Sequence, residues 1–338
     1  SREFKQEIVK LNKNFKYIFI NSYRFNFSNS LKRILSWIDF EIKLLCFNKK
    51  NLLKPDLIII SSLSLLTILN GFLLKRKYRC KLVFEIRDIW PLTLTEEGGF
   101  KEGNIFVKLL EFIEYLGYKN SDHIIGTMPN LKEHVKNRLG YYKNVTCIPM
   151  GYKKEEIEKS KEIPNRIKKL IPNKKFIVGY FGGIGISNAL DSFFNVIYKC
   201  KESNDLHFLI AGSGDLKQKY YLQTKGLNNI TILPILDKKY TQSLFKNCDL
   251  LYFSTHNSEI WQYGQSLNKL VDYMLSGKPI IGSYNGYKSM INESFCGEFI
   301  KPYDEELILK AITKYKQMPF AERKKIGLRG REWIIKNR

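Results

Sequence analysis

An α/β chain with two Rossmann-like domains is what the sequence predicts, on three observations. At 338 residues it is long enough for two domains of roughly 150 residues each. Continuous apolar runs such as Leu57-Ile58-Ile59-Ile60 and Phe176-Ile177-Val178-Gly179-Tyr180-Phe181 end at serine or glycine, as strands buried on both faces do. These runs alternate with helical patterns over short links, the rhythm of a parallel sheet. A hydrophobic content of 44% with 26% charged residues excludes a disordered chain.

In order, residues 1–13 read as the end of a helix, 17–20 as a short strand and 27–47 as a long helix. Strands over 55–62, 81–86, 123–127 and 145–151 alternate with helices over 65–77, 104–119 and 129–139. His134, on the last of these, reads as a surface or packing residue. Residues 153–174 are charged and interrupted by Pro164 and Pro172, and read as a linker with a short helix. A second unit follows, with strands over 175–181, 206–211, 230–236 and 249–254 and a helix over 189–200. Residues 256–265 read as a loop, 280–281 as the start of a buried strand, and 321–338 as a basic amphipathic helix.

Three constellations carry chemistry. Arg87-Asp88-Ile89-Trp90-Pro91 stands just past a strand, the edge at which Rossmann-like sheets bind ligands; Thr95-Glu96-Glu97-Gly98-Gly99 behind it reads as a flexible loop. Gly182-Gly183-Ile184-Gly185 turns a strand into a helix, and such turns let backbone N–H groups approach a diphosphate. The third runs from Trp261 to Ser283. Leu267, Leu270, Val271, Met274 and Leu275 form an apolar stripe at i, i+3, i+4, i+7 and i+8. Ser266 fits the N-cap, Gly277 the C′ position, and Pro279 ends the helix. On its other side the first turn offers N–H groups, a positive dipole end, Asn268 and Lys269, which together suit a phosphate. One turn deeper, Asp272 suits a ribose diol. A solvated Lys269–Asp272 pair on an ordinary capped helix is the plain alternative.

Asp272-Tyr273-Met274-Leu275-Ser276-Gly277-Lys278-Pro279-Ile280-Ile281 resembles the donor-nucleotide motif of glycosyltransferase family 4, the retaining GT-B enzymes. The family's second glutamate is Asp272 here, and Gly264 stands where its first glutamate would be. Ser266-Leu267-Asn268-Lys269 and Arg87-Asp88-Ile89-Trp90-Pro91 are similar to a subgroup that builds bacterial O-antigens and capsules. The resemblance implies a GT-B fold, two Rossmann-like domains facing across a cleft whose closure excludes water. It assigns 1–152 to the acceptor side, with its first strand and helix expected to be missing, and 175–338 to the nucleotide-sugar. Arg87 and Asp88 become the catalytic candidates. Gly182, Gly183, Gly212, Gly214, Ile235, Ser266, Leu267, Asn268, Lys269 and Asp272 become the nucleotide contacts, with Ile235 against the base. Trp90, Glu97, Asn188 and Glu259 become candidates for donor-sugar or acceptor contacts, and His256 or Glu259 for the role of the missing glutamate. Gly183 and Asn188 replace the family's diphosphate-binding Arg and Lys, leaving Lys269 and the helix N-terminus to supply positive charge.

The implied reaction is a retaining, metal-independent transfer from a UDP-sugar to a lipid-diphosphate-linked saccharide, with no cofactor. A sugar-nucleotide 2-epimerase of the same architecture stays open as the alternative. The net charge of +23 is spread over both halves and suits a nucleotide-sugar, a lipid diphosphate or an anionic membrane surface. It also suits an ordinary lysine-rich surface. The densest cluster, Lys75-Arg76-Lys77-Tyr78-Arg79-Cys80-Lys81, follows an apolar run, as a headgroup surface or an ordinary helix end would have it. Nucleic acid is not expected as a partner, since no RNP, KH or zinc-finger pattern occurs. Six scattered cysteines without a CxxC argue against zinc and for a reducing compartment. No run is apolar enough to span a membrane. The expected location is cytoplasmic, peripherally on the inner face of the membrane.

Overall fold

The computed structural model describes residues 7–10, 16–23, 31–47, 53–62 and 64–338. The chain divides into two compact units, residues 1–126 with 131–147 and residues 127–130 with 148–338.

In the first unit, β1 (Glu7–Lys10) and β2 (Lys16–Phe19) form an antiparallel pair, and α1 (Leu31–Cys46) follows. The helix expected over 1–13 is therefore corrected at 7–10. Four residues centred on two β-branched side chains show no helical period, and strand pairing decides them. The parts of the expectations that fall on residues 1–6, 11–13, 27–30 and 48 lie outside the described residues. Next come β3 (Leu57–Ser61), α2 (Thr67–Tyr78), β4 (Lys81–Ile86), α3 (Leu92–Glu96), α4 (Ile105–Asn120), β5 (His123–Gly126), α5 (Leu131–Leu139) and β6 (Val145–Cys147). The strands make a parallel sheet in the order β3-β4-β5-β6. Leu82, Phe84 and Ile86 alternate into the core, where Ile68 of α2 and Val107 and Leu110 of α4 are also buried.

Two buried carboxylates pin these helices. Glu41 of α1 accepts hydrogen bonds from Ser64 Oγ, Thr67 Oγ1 and Asn70 Nδ2, which holds α1 against the start of α2. Glu114 of α4, 1% exposed, accepts from His134 Nε2 and Arg138 Nε, each at 2.7 Å, and from Tyr118 Oη at 2.9 Å. His134 is thus a packing residue. Lys75 of the basic cluster is tied down too, 2.9 Å from Asp122.

The second unit begins with α6 (Lys154–Glu158) and α7 (Asn165–Lys168), and Ile163, Ile167 and Ile171 of this segment enter the core beside Leu244 and Phe245. Then follow β7 (Phe176–Phe181), α8 (Asp191–Lys199), β8 (Leu206–Ala211), α9 (Lys217–Gln223), β9 (Ile230–Leu233), α10 (Thr241–Lys246), β10 (Leu250–Ser254), α11 (Asn268–Leu275), β11 (Ile280–Ser283), α12 (Met290–Ser294), β12 (Gly297–Ile300), α13 (Glu305–Gln317) and α14 (Phe320–Asn337). The parallel sheet runs β12-β11-β10-β7-β8-β9. Counted from β7 this is the doubly wound order, reversing between β7 and β10, and ligands of such sheets bind beyond the strand carboxyl ends at that reversal.

Helix α11 lies there. Leu270, Val271, Met274 and Leu275 are buried, as the stripe predicts. Gly277 follows the C-cap at φ 69°, and Arg331 of α14 donates to the Leu275 carbonyl at 2.9 Å, which closes the helix tail.

Glu114→Ala removes the acceptor that Arg138, His134 and Tyr118 share. Urea unfolding is expected to show that unit destabilised by about 3–5 kcal/mol.

Candidate functional site

A cavity of about 460 Å³ opens at the carboxyl ends of β7, β8 and β9. Gly182 and Gly183 follow β7, Gly212 and Ser213 follow β8, and Ile235, Leu236 and Tyr240 follow β9; Leu267, Asn268, Lys269 and Asp272 come from the head of α11. The two glycine turns interlock. Gly182 N–H donates to the Ala211 carbonyl at 3.0 Å and Ile184 N–H to Ser213 at 2.8 Å. A Cβ on Gly212 would lie 1.8 Å from the Gly182 oxygen, so only glycine lets the backbones meet.

Lys269 crosses this turn. Its Nζ donates to Asn188 Oδ1 and, at 3.2 Å, to Tyr180 Oη, and stands 5.0 Å from the centre of the Tyr180 ring. Tyr180 Oη in turn donates to the Gly183 carbonyl at 2.5 Å. None of these partners is a carboxylate. Burial alone pulls the Lys269 pKa down to about 8. Asn188 is fixed in its turn, because its carbonyl accepts Ser254 Oγ at 2.6 Å. His256 Nε2 donates to the Ile186 carbonyl at 2.7 Å, and its Nδ1 takes Tyr303 Oη at 2.6 Å. Beneath the cavity Tyr273 Oη accepts Phe181 N–H at 2.8 Å and donates to the Phe181 carbonyl at 3.1 Å, which ties α11 to the end of β7.

A second groove, about 880 Å³, shares Thr241, Asn268 and Asp272 with the cavity. Lys153, Lys159, Lys238 and Lys239 stand on its rim. Anions are the ligands this electrostatic setting favours.

Of the residues read from the sequence, Gly182, Gly183, Gly212, Ile235, Leu267, Asn268, Lys269 and Asp272 share the one cavity, and Asn188 reaches it through Lys269. Gly214 lies behind it, in the turn where a Cβ would strike Ile184. Ser266 does not cap α11. The N-cap is Leu267, and Ser266 Oγ accepts Met150 N–H at 3.1 Å instead. Glu259 is exposed at the start of a 3₁₀ turn, Glu259–Tyr263, within the stretch read as loop, and does not line the cavity. His256 holds the glycine turn. Tyr240, Phe245 and Tyr273, which line the cavity, and Tyr180 beside Lys269 went unread, because nothing local in the sequence marks an aromatic for a site wall.

In the first unit, Arg87 and Asp88 are exposed at the carboxyl end of β4. Ser62 Oγ accepts Arg87 N–H at 3.0 Å and steadies that turn. Trp90 is buried edge-on against Trp37, ring centres 5.3 Å apart. Thr95 and Glu96 are not loop: they end α3, and Gly98 N–H donates back to the Leu94 carbonyl. Glu97 is half-buried with Oε1 lacking a hydrogen bond. Burial first, then the charges of Asp88 and Glu96, raise its pKa to about 7.

Residues 161–333, just over half of the chain, match the sequence model of glycosyl transferases group 1. The chain belongs to that family. Solved structures agree on the GT-B fold of this glycosyl transferase, two Rossmann-like units. Sucrose-phosphate synthase from Thermosynechococcus elongatus is 15% identical at a TM-score of 0.72, covering 98% of this chain and 81% of its own. An E. coli structure described as trehalose-6-phosphate bound with UDP-2-fluoro glucose is 14% identical at 0.73, covering 100% and 87%. Anabaena HepE in complex with UDP-glucose is 16% identical at 0.62, covering 83% and 74%. No curated protein sequence matches the chain.

Two pH dependences follow. Folding lowers the Lys269 pKa from 10.5 to about 8, so the unfolded chain binds the extra proton between those values. Stability is expected to rise from pH 8 to 10.5, and Lys269→Met to flatten this rise in urea titrations. Folding raises Glu97 from 4.5 to about 7, so its contribution is full below pH 4.5 and lost as pH climbs through 7. Glu97→Gln is expected to remove that loss.

Proposed function

We propose that this glycosyl transferase is a retaining, metal-independent enzyme of the family 4 type. Its donor is a UDP-sugar carrying an N-acetylated hexosamine or deoxy-hexosamine, and its acceptor a lipid-diphosphate-linked saccharide of a surface polysaccharide such as O-antigen or capsule. Lys269 carries the reading: a cation held at a glycine turn and a helix head, at the sheet's reversal, with no carboxylate among its partners. A diphosphate supplies the missing charge. Ile235, Leu236 and Tyr240 form the apolar side for a base, and Asp272 faces a ribose. The similar structures that hold UDP-glucose or UDP-2-fluoro glucose support uridine.

Lys269, the α11 N-terminus and the glycine turn act on the departing diphosphate, where negative charge grows as the glycosidic bond breaks. The acceptor hydroxyl attacks from the same face, and the leaving phosphate oxygen takes its proton. Arg87 and Asp88 hold sugar or acceptor hydroxyls in this reading.

A lipid-linked acceptor at an anionic membrane draws support from α1. Leu35, Ile38, Ile42 and Leu45 stand exposed along it, while Trp37 of the same helix packs on Trp90 beside Arg87 and Asp88. An exposed apolar stripe on a basic chain suits a headgroup boundary. No helix among the described residues is long and apolar enough to cross a membrane. The 2-epimerase reading draws on Glu97, a carboxyl whose pKa is raised to about 7 by burial and by the charges of Asp88 and Glu96; release of a free epimer from the UDP-sugar would favour it.

Thermal-shift binding tests the donor. UDP is expected to stabilise the chain more than GDP or ADP, and Asp272→Ala and Lys269→Met to weaken UDP about tenfold or more. Stabilisation by single-stranded RNA alone would sink the reading. Turnover is then sought with UDP-sugars and a lipid-diphosphate saccharide.

A further inference from the structure

The groove of about 880 Å³ beside the nucleotide cavity has no role in the proposed transfer. Its walls come from three segments: residues 151–159, the stretch 238–242 after β9, and α11 from Asn268 to Leu275. Hydrogen bonds lock these segments together. Lys161 N–H donates to the Lys239 carbonyl at 2.8 Å, and Gln242 Nε2 to the Asp272 carbonyl at 3.0 Å. Met150 N–H, just ahead of the first wall, donates to Ser266 Oγ at 3.1 Å. Tyr152 and Ile157 pack against the core that holds Val271 and Leu275, so the first wall is anchored as well.

Three kinds of surface meet in the groove. Tyr152 and Ile157 supply apolar area. Thr241, Gln242 and Asp272 supply groups that hydrogen-bond hydroxyls. The lysine rim supplies charge. Lys239 is answered by Asp237 at 2.7 Å, whereas Lys153 and Lys159 meet no carboxylate among the described residues.

A hexose phosphate uses all three. The C–H face of its ring covers apolar side chains, its hydroxyls bond amide, hydroxyl and carboxylate, and its phosphate takes the ammonium groups. A bare anion would meet the Asp272 charge and leave the apolar floor uncovered. A neutral sugar would leave the lysines unused, and a fatty anion would cover Thr241 and Gln242 without bonding them.

We propose that this groove binds a phosphorylated sugar and that its occupant opposes the nucleotide-sugar. The opposition comes from Thr241, Asn268 and Asp272, which line groove and cavity alike. One Asp272 carboxylate cannot serve a ribose diol and a second sugar at full strength, so each ligand weakens the other by the same factor. The opposition rests on the nucleotide-sugar reading above; the binding of a sugar phosphate does not.

Calorimetry on the full chain tests both parts, with glucose 6-phosphate, glucose 1-phosphate, glucose and inorganic phosphate as ligands and UDP titrated separately. At least one hexose phosphate is expected to bind about tenfold tighter than glucose or phosphate, and to raise the apparent Kd of UDP when saturating. Lys153→Glu combined with Lys159→Glu, both at exposed positions, is expected to weaken the hexose phosphate about tenfold and leave UDP within about twofold. Lys269→Met is expected to do the reverse. Hexose phosphates that bind no tighter than phosphate overturn the site. So does a hexose phosphate weakened by Lys269→Met and indifferent to the double variant, which places it in the nucleotide cavity. Hexose phosphate binding that leaves the UDP Kd unchanged overturns the opposition. A chain that binds hexose phosphate through Lys153 and Lys159 but binds no UDP overturns the nucleotide-sugar reading and the opposition, and supports the groove site.

Discussion

The ammonium of Lys269 sits where burial penalises its charge and no carboxylate among its partners answers it. Much of the second unit serves that placement. Tyr180 lends a ring face and a hydroxyl, and Asn188 an amide oxygen; Ser254 and His256 anchor the turn that carries Asn188. All the neighbours that restrain the lysine are neutral dipoles, which orient a cation without cancelling it. The charge is left for a ligand. A carboxylate in place of Asn188 would make a better ion pair and a poorer anion site.

Topology fixes where such a residue can be useful. Reversal of strand order between β7 and β10 parts the flanking connections and leaves room above the sheet, into which α11 sends its head. Tyr273 then sets the height of α11, because its hydroxyl is bonded to both the N–H and the carbonyl of Phe181. The first unit has no such reversal among its described strands. Its candidate residues gather after β4, Arg87 and Asp88 on the turn that follows the strand and Glu97 at the end of α3.

Most of the second unit was legible because its central strands are buried on both faces and its glycines are forced. The α11 stripe gave its inner face, and Gly277 and Pro279 gave its end. Ser266 misled, since a serine before a helix is a good cap only when no outside N–H competes, and Met150 supplies one. Thr95 and Glu96 looked like loop beside two glycines, yet Ile89 and Pro91 carbonyls start a turn that they complete. Residues 7–10 were too few to show a period. The aromatic walls were illegible for a different reason: core packing requires large side chains, and nothing local tells which of them also faces a cavity.

Arg331 has a consequence for the other end of the helix it touches. Bound to the Leu275 carbonyl, it brings a fixed cation to the negative pole of α11. The eight residues of α11 span only about 12 Å, so the two poles feel one another. With the tail compensated by protein, the field at Asn268 and Lys269 is left for whatever arrives from solvent. The last helix of the chain thereby acts on the site electrically, across the body of α11.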